Sequence, residues 1–315
     1  MRLVTIDDIR DAAGRIRGDI VRTPLLPAAW GAPERPLWLK PENLQSIGAF
    51  KVRGAFNAIG RLDPEVRAKG VVAYSSGNHA QAVGRAAAAY GIDAHIVMPL
   101  ETPPVKVAAT RAHGAEVVLC AAGERERVAA ELVAETGAVL VPPFDHPDII
   151  AGQGTIGLEI AEDLPDVRTV LIPVSGGGLA SGIGTAIKSM CPGATVIGVE
   201  PELAADTAES LEVGYRVDWS IDERNRTIAD GLRSQPSELT FAHLQAVLDG
   251  MLTVSEDEIR SAMRELAFCA HLVSEPSGAV ALAAYRQGST PPGDTVVIVS
   301  GGNVEPAMYR DILAG

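Results

Sequence analysis

The residue whose surroundings most favour chemistry is Lys51. The chain carries five lysines, Lys40, Lys51, Lys69, Lys106 and Lys188, against 22 arginines, so its basic surface is built mainly from arginine. Lys51 follows Ala49 and Phe50 in "QSIGAFKVRGAFNAIG", residues 45–60. An ammonium beside apolar groups is disfavoured, and the free amine that results is a nucleophile. The same setting also suits a surface lysine whose stem lies along apolar neighbours while its head stays in water.

Three further stretches carry chemistry. The first is Ser75-Ser76-Gly77-Asn78-His79, with two hydroxyls, an amide, an imidazole and backbone N–H groups at a predicted helix start, a cradle for a carboxylate or phosphate. An ordinary N-cap needs only one such residue. The second is "SGGGLASG", Ser175 to Gly182. Three consecutive glycines permit close backbone approach and an anion nest. No Gly-Lys-[Ser/Thr] follows, which excludes a Walker loop. Gly176-x-Gly178-x-x-Ser181 also nearly fits a dinucleotide fingerprint, and Glu200 ends the next predicted strand where a ribose-binding acid would stand. The third is Ser300-Gly301-Gly302-Asn303, which as local structure is a tight turn.

All three loops follow predicted strands. From Val71 the chain alternates "VVAY", a helix ending at Gly91, "AHIVM", the helix "PPVKVAATRAHG", "EVVLC", the helix "ERERVAAELVAETG" and "AVLV". The alternation breaks at "PPFDHPD" and resumes through "IIAGQGTIGLEIAEDL", "TVLIPV", "TVIGVE" and "TVVIVSGGN". Thr5-x-x-Asp8 and Ser255-x-x-Glu258 read as helix capping boxes. Such β-α alternation predicts parallel sheets covered by helices, with ligands beyond the carboxyl ends of the strands. The 315 residues predict about two domains, and a hydrophobic content of 47% is enough to bury large cores. A formal charge of −13 argues against nucleic acid and anionic membrane surfaces as partners. No apolar run has the length of a membrane span. Cys120, Cys191 and Cys269 are isolated and odd in number, which fits a reducing cytoplasm.

Seven motifs in order, "GAFKVRGAFNAI", "SSGNHAQA", "AGQGTIGLEI", "SGGGLASGI", "TIADGL", "EPSGAVALAA" and "SGGNV", make the chain resemble the serine/threonine dehydratase and serine racemase family of fold-type II pyridoxal-phosphate enzymes. The resemblance covers nearly the whole chain. It implies an α/β, tryptophan-synthase-β-like architecture of two domains with parallel-rich sheets and the cofactor in the cleft between them. Residues 1–46 and 147–315 would form the large domain and 47–146 the small one. It implies further that Lys51 carries the cofactor as a Schiff base and later removes the substrate α-proton. Phe50 would pack by the ring, and Asn78 would bond its phenolic oxygen. Ser175, Gly176, Gly177, Gly178 and Leu179 would hold the phosphate, Ser300 would face the pyridine nitrogen, and Glu275 would line the pocket. Glu275 also suits an acid at a helix N-terminus. Many family members have glycine where this chain has Ser175.

The substrate carboxylate would sit on Ser75, Ser76, Gly77, Asn78 and His79, with Arg125 and Ser234 as further candidates. The implied reaction is β-elimination from a β-hydroxy amino acid such as L-threonine or L-serine, giving a 2-oxo acid and ammonia. Ser76 matches the second acid/base of the family's racemases, so racemisation is the alternative. β-Replacement and a nucleotide-binding dehydrogenase stand further off. Glu200, Ala204 and Asp206 match a Mg²⁺ or Ca²⁺ site, and they also read as a solvated acidic loop. A cytoplasmic homodimer without a C-terminal regulatory domain is expected.

Overall fold

The computed structural model describes residues 2–315. Its ten strands are β1 (Leu26–Ala32), β2 (Arg35–Pro41), β3 (Val71–Tyr74), β4 (Ala94–Pro99), β5 (Glu116–Cys120), β6 (Val139–Leu140), β7 (Thr169–Pro173), β8 (Thr195–Pro201), β9 (Gly250–Val254) and β10 (Thr295–Val299). They form two sheets. The larger has the order β1-β2-β10-β7-β8-β9 and the smaller β5-β4-β3-β6. Every pairing is parallel except β1 with β2. The small sheet is drawn wholly from residues 71–140, and the chain enters the large sheet both before and after it.

Sequence explains these elements locally. β7 and β10 are buried along their whole lengths, as expected for unbroken apolar runs in a parallel sheet with helices on both faces. Both predicted capping boxes form, at Thr5–Asp8 and Ser255–Glu258. The helix Asn78–Tyr90 ends at Gly91 with φ 65°. Two elements differ from expectation. The strand expected over "AVLV" pairs only at Val139–Leu140, because it is an edge strand and Leu140 faces solvent. The β1–β2 hairpin, unannounced by alternation, extends the large sheet by antiparallel pairing. No helix among the described residues is long and apolar enough to cross a membrane.

The helix Lys51–Arg61 crosses the helix Pro147–Asp163 at backbone contact. A Cβ on Gly152 would lie 2.6 Å from Gly54 Cα and 2.7 Å from Arg53 O. Beside this crossing, the fully buried Arg53 pairs with Glu42 (2.7 and 2.8 Å) and with Glu159 (2.6 and 2.9 Å). Lys40 Nζ adds a bond to Glu159 at 2.6 Å and one to Thr23 O at 2.6 Å. Two cations and two anions thus balance inside the core and fix the helix that begins with Lys51. Buried pairs of this kind hold only when each charge keeps its partners.

Candidate active site

The carboxyl ends of β3, β7 and β10 converge on a cavity of about 510 Å³. Each strand runs into one of the three predicted loops. Of the sequence-predicted site residues, all but Glu200, Ala204 and Asp206 line this one cavity.

Lys51 is the first residue of its helix, and Phe50 N–H before it donates to Ser300 O at 3.1 Å, so the end of β10 sets its position. Lys51 Nζ donates to Pro143 O at 2.7 Å and lies 5.1 Å from the Phe50 ring centroid. It has no carboxylate partner among the described residues. Burial lowers its pKa from the ordinary 10.5 to about 8. Its place at a helix N-terminus disfavours the cation further. These are the conditions of a nucleophilic amine.

In the loop after β3, Ser75 Oγ accepts from Gly77 N–H at 3.2 Å. The Ser76 hydroxyl lines the cavity with no hydrogen-bond partner among the described residues. Asn78 is clamped from both ends of its amide. Its Oδ1 accepts from Asn303 Nδ2 at 2.7 Å, and its Nδ2 donates to Glu275 Oε1 at 2.8 Å. His79 points elsewhere. Its Nε2 donates to Val141 O at 2.8 Å, and burial, aided by the Lys51 charge, lowers its pKa to about 3. The imidazole is neutral and committed to that carbonyl, which leaves only the backbone N–H of His79 at the helix start.

In the loop after β7, the N–H groups of Ser175 to Leu179 have no acceptor within the described protein, and the helix Gly178–Met190 begins there. Gly177 has φ 85°, and a Cβ on it would lie 2.9 Å from Thr240 Cβ. Phe144 packs under both Gly176 and Gly178: a Cβ on Gly176 would overlap its ring, and one on Gly178 would lie 3.0 Å from its Cβ. In the third loop, Ser300 Oγ donates to Ser277 O at 3.4 Å. Glu275 stands one residue before the helix Pro276–Arg286, so its expected helix-start position and its pocket position coincide. Burial, with a contribution from Asp230, raises its pKa to about 7.

Arg125 lies on the rim, paired with Glu126 at 2.8 Å and 5.8 Å from the Tyr74 ring centroid. Ser234 N–H donates to Ser175 Oγ at 3.0 Å. Sequence gave no role to Asn303, Phe144, Ser277 or the pair Lys106–Asp230, which closes at 2.7 Å between two walls of the cavity. Only the SGGN loop signalled Asn303, and Phe144 lay in a stretch read as a mere break.

Glu200 and Asp206 lie outside the cavity, both almost fully buried. The Glu200 carboxylate accepts from Thr207 N–H at 3.3 Å and Ala208 N–H at 2.9 Å. It cannot serve a ribose, so the glycine loop lacks the acidic partner of a dinucleotide fingerprint. Asp206 Oδ2 is buried with no partner. Burial raises Asp206 to about 6 and, with the Asp206 charge, holds Glu200 well above the usual carboxylate range. No group of three or more His, Cys, Asp or Glu side chains among the described residues could hold a metal ion. The pair therefore offers two carboxylates and the Ala204 carbonyl at most, and the orphaned Asp206 oxygen fits an oxygen-bound cation.

A desolvated amine without a carboxylate partner, in one cavity with a cradle of free N–H groups, suits an enzyme that holds a phosphorylated carbonyl compound. Residues 16–302 match the family model described as pyridoxal-phosphate dependent enzyme. The chain is 40% identical to L-threo-3-hydroxyaspartate ammonia-lyase of Saccharomyces cerevisiae, covering 100% of this chain and 98% of that one. It is 43% identical to the catabolic L-threonine dehydratase of Escherichia coli, covering 98% and 96%. The solved structure of maize serine racemase superposes with a TM-score of 0.94 at 37% identity, covering 99% and 98%. The chain belongs to the pyridoxal-phosphate-dependent enzyme family and shares its fold-type II architecture.

Proposed function

We propose that this pyridoxal-phosphate-dependent enzyme is an ammonia-lyase that eliminates water from a β-hydroxy amino acid such as L-threonine or L-serine, giving a 2-oxo acid and ammonia. The observation that carries this is Lys51, an amine with pKa about 8 in a cavity that the free N–H groups of Ser175 to Leu179 also line. Pyridoxal phosphate, when bound, supplies an electrophilic aldehyde and a ring that stabilises negative charge at the substrate Cα.

The protein's part is to hold and to move protons. The N–H groups of Ser175 to Leu179 and the helix start behind them hold the phosphate. Ser300 would turn its one hydroxyl proton from Ser277 O, a long bond of 3.4 Å, to an unprotonated ring nitrogen, and Asn78 offers an amide whose direction Asn303 and Glu275 fix. Phe50 packs beside the ring. Ser75, Ser76, Gly77, Asn78 and the His79 N–H receive the substrate carboxylate, with Arg125 and Ser234 at the outer wall. Lys51 takes the α-proton as general base.

Racemisation is a second reading, favoured by the free Ser76 hydroxyl in the cavity. A proton placed by Ser76 on the face opposite Lys51 would invert Cα. Ser76→Ala should then abolish formation of the opposite enantiomer while sparing elimination of L-substrates. Equal loss of both would assign Ser76 to binding instead. The principal test is Lys51→Ala, which should remove both the visible imine absorbance and the release of 2-oxo acid. A wild-type protein that stays colourless and inactive with added cofactor would sink the proposal.

Residues 47–146 act as the small domain against 1–46 plus 147–315, supported by the separate four-stranded sheet. Glu200, Asp206 and the Ala204 carbonyl hold Mg²⁺ or Ca²⁺, which would neutralise a buried pair of carboxylates. The enzyme is a cytoplasmic homodimer, supported by three free cysteines and by exposed Leu44, Phe268 and Val273, and light scattering would read its mass in solution.

A further inference from the structure

Ser175 does two separable things. Its N–H belongs to the cradle after β7. Its side chain reaches across the cavity wall: the Oγ–H donates to Ser234 O at 3.2 Å, and the same oxygen accepts from Ser234 N–H at 3.0 Å. A hydroxyl can serve both ways at once. Ser234 lies in a stretch of irregular backbone between the turn Asp230–Leu232 and the helix Glu238–Val247. Its backbone makes no other hydrogen bond, and its own hydroxyl has no partner among the described residues. One atom of Ser175 therefore satisfies both polar groups of the Ser234 backbone. The frame behind that atom is rigid, since Val174 N–H, one residue earlier, bonds Val199 O at 2.9 Å and continues the sheet.

We infer that Ser175 is a positioning residue for substrate: its hydroxyl fixes the Ser234 backbone, and so the direction of the Ser234 hydroxyl, against the cofactor cradle. A glycine at 175 would keep the N–H for the phosphate and lose the tether. Cofactor binding and substrate positioning are thus divided between the backbone and the side chain of one residue. The inference rests on the lyase reading above.

The test is Ser175→Gly, Ser234→Ala and the double variant, each loaded with pyridoxal phosphate. In Ser175→Gly the cofactor Kd should stay within about twofold. KM for L-threonine or L-serine should rise about three- to tenfold, the range for one lost hydrogen bond, with kcat nearly unchanged. Ser234→Ala should raise KM similarly. Residues that act as one unit are non-additive, so the double variant should be no worse than Ser234→Ala alone. Hydrogen exchange at the Ser234 amide should be faster in Ser175→Gly than in wild type, whatever the activity. A large loss of cofactor affinity, an unchanged KM, full additivity or unchanged exchange would each overturn the inference. If the wild type turned over no amino acid, the lyase reading would fail, and exchange at Ser234 would still decide whether the tether exists.

Discussion

The protonation of Lys51 gives the sharpest quantitative prediction. An ordinary lysine of pKa 10.5 is about 0.03% neutral at pH 7, whereas one lowered by burial to about 8 is about 10% neutral. The reactive fraction therefore rises about 300-fold through burial alone. Lowering the pKa of an amine moves its titration into the range where cofactor capture can be followed. Cofactor-free protein mixed with pyridoxal phosphate across pH 6 to 10 should develop the imine absorbance at a rate that climbs with pH. The climb should have its midpoint near 8 and a plateau above it, and Lys51→Ala should show no such signal. A rate still rising in proportion to hydroxide from pH 8 up to pH 10 would show that Lys51 titrates as an ordinary surface lysine. The account of a desolvated amine held to Pro143 O would then be wrong.

Other perturbations probe the frame and the second buried cluster. Arg53→Met leaves Glu42 and Glu159 buried with only Lys40 between them. Breaking such a network costs about 3–5 kcal/mol, so urea unfolding should show a large loss of stability, and a change under about 1 kcal/mol would contradict the buried-charge account. Gly177→Ala forces a side chain into a backbone with φ 85° and against Thr240. It should cost about 1–3 kcal/mol and weaken pyridoxal phosphate binding at least tenfold, read by fluorescence titration. The raised pKa values of Glu200 and Asp206 mean that the folded protein without a divalent cation holds extra protons. The Asp206 part of that contribution to stability is full below about pH 4 and is lost as pH rises through about 6, and the Glu200 part is lost as pH rises further above the usual carboxylate range. Mg²⁺ or Ca²⁺ should therefore raise Tm more at pH 8 than at pH 5.5, and an equal or absent shift would remove the pair as a metal site.

The candidate site was legible where its residues are contiguous in the chain. Ser75 to His79 and Ser175 to Leu179 each announce a cradle within five residues, and both follow strands of unbroken apolar character. The capping boxes at Thr5 and Ser255 were legible for the same reason, since donor and acceptor lie three residues apart. What escaped was held together across long stretches of sequence. Asn303 and Asn78 are 225 positions apart, Lys106 and Asp230 are 124 apart, and no local pattern couples them. The β1–β2 hairpin was missed because "LPAAWGA" and "RPLWLKP" carry prolines and a glycine that read as loop, and such residues are tolerated at sheet edges. The imidazole of His79 looked like a ligand-facing group. Its commitment to Val141 O depends on where residue 141 lies in the fold.

The most direct test of the lyase assignment is a substrate panel with two readouts on one sample. Cofactor-loaded enzyme would be incubated with L- and D-serine, L-threonine and 3-hydroxyaspartate, with and without Mg²⁺, and both 2-oxo acid and opposite enantiomer would be quantified. The account predicts 2-oxo acid in large excess from at least one L-β-hydroxy amino acid. Opposite enantiomer in excess with little oxo acid would contradict it and make this enzyme a racemase.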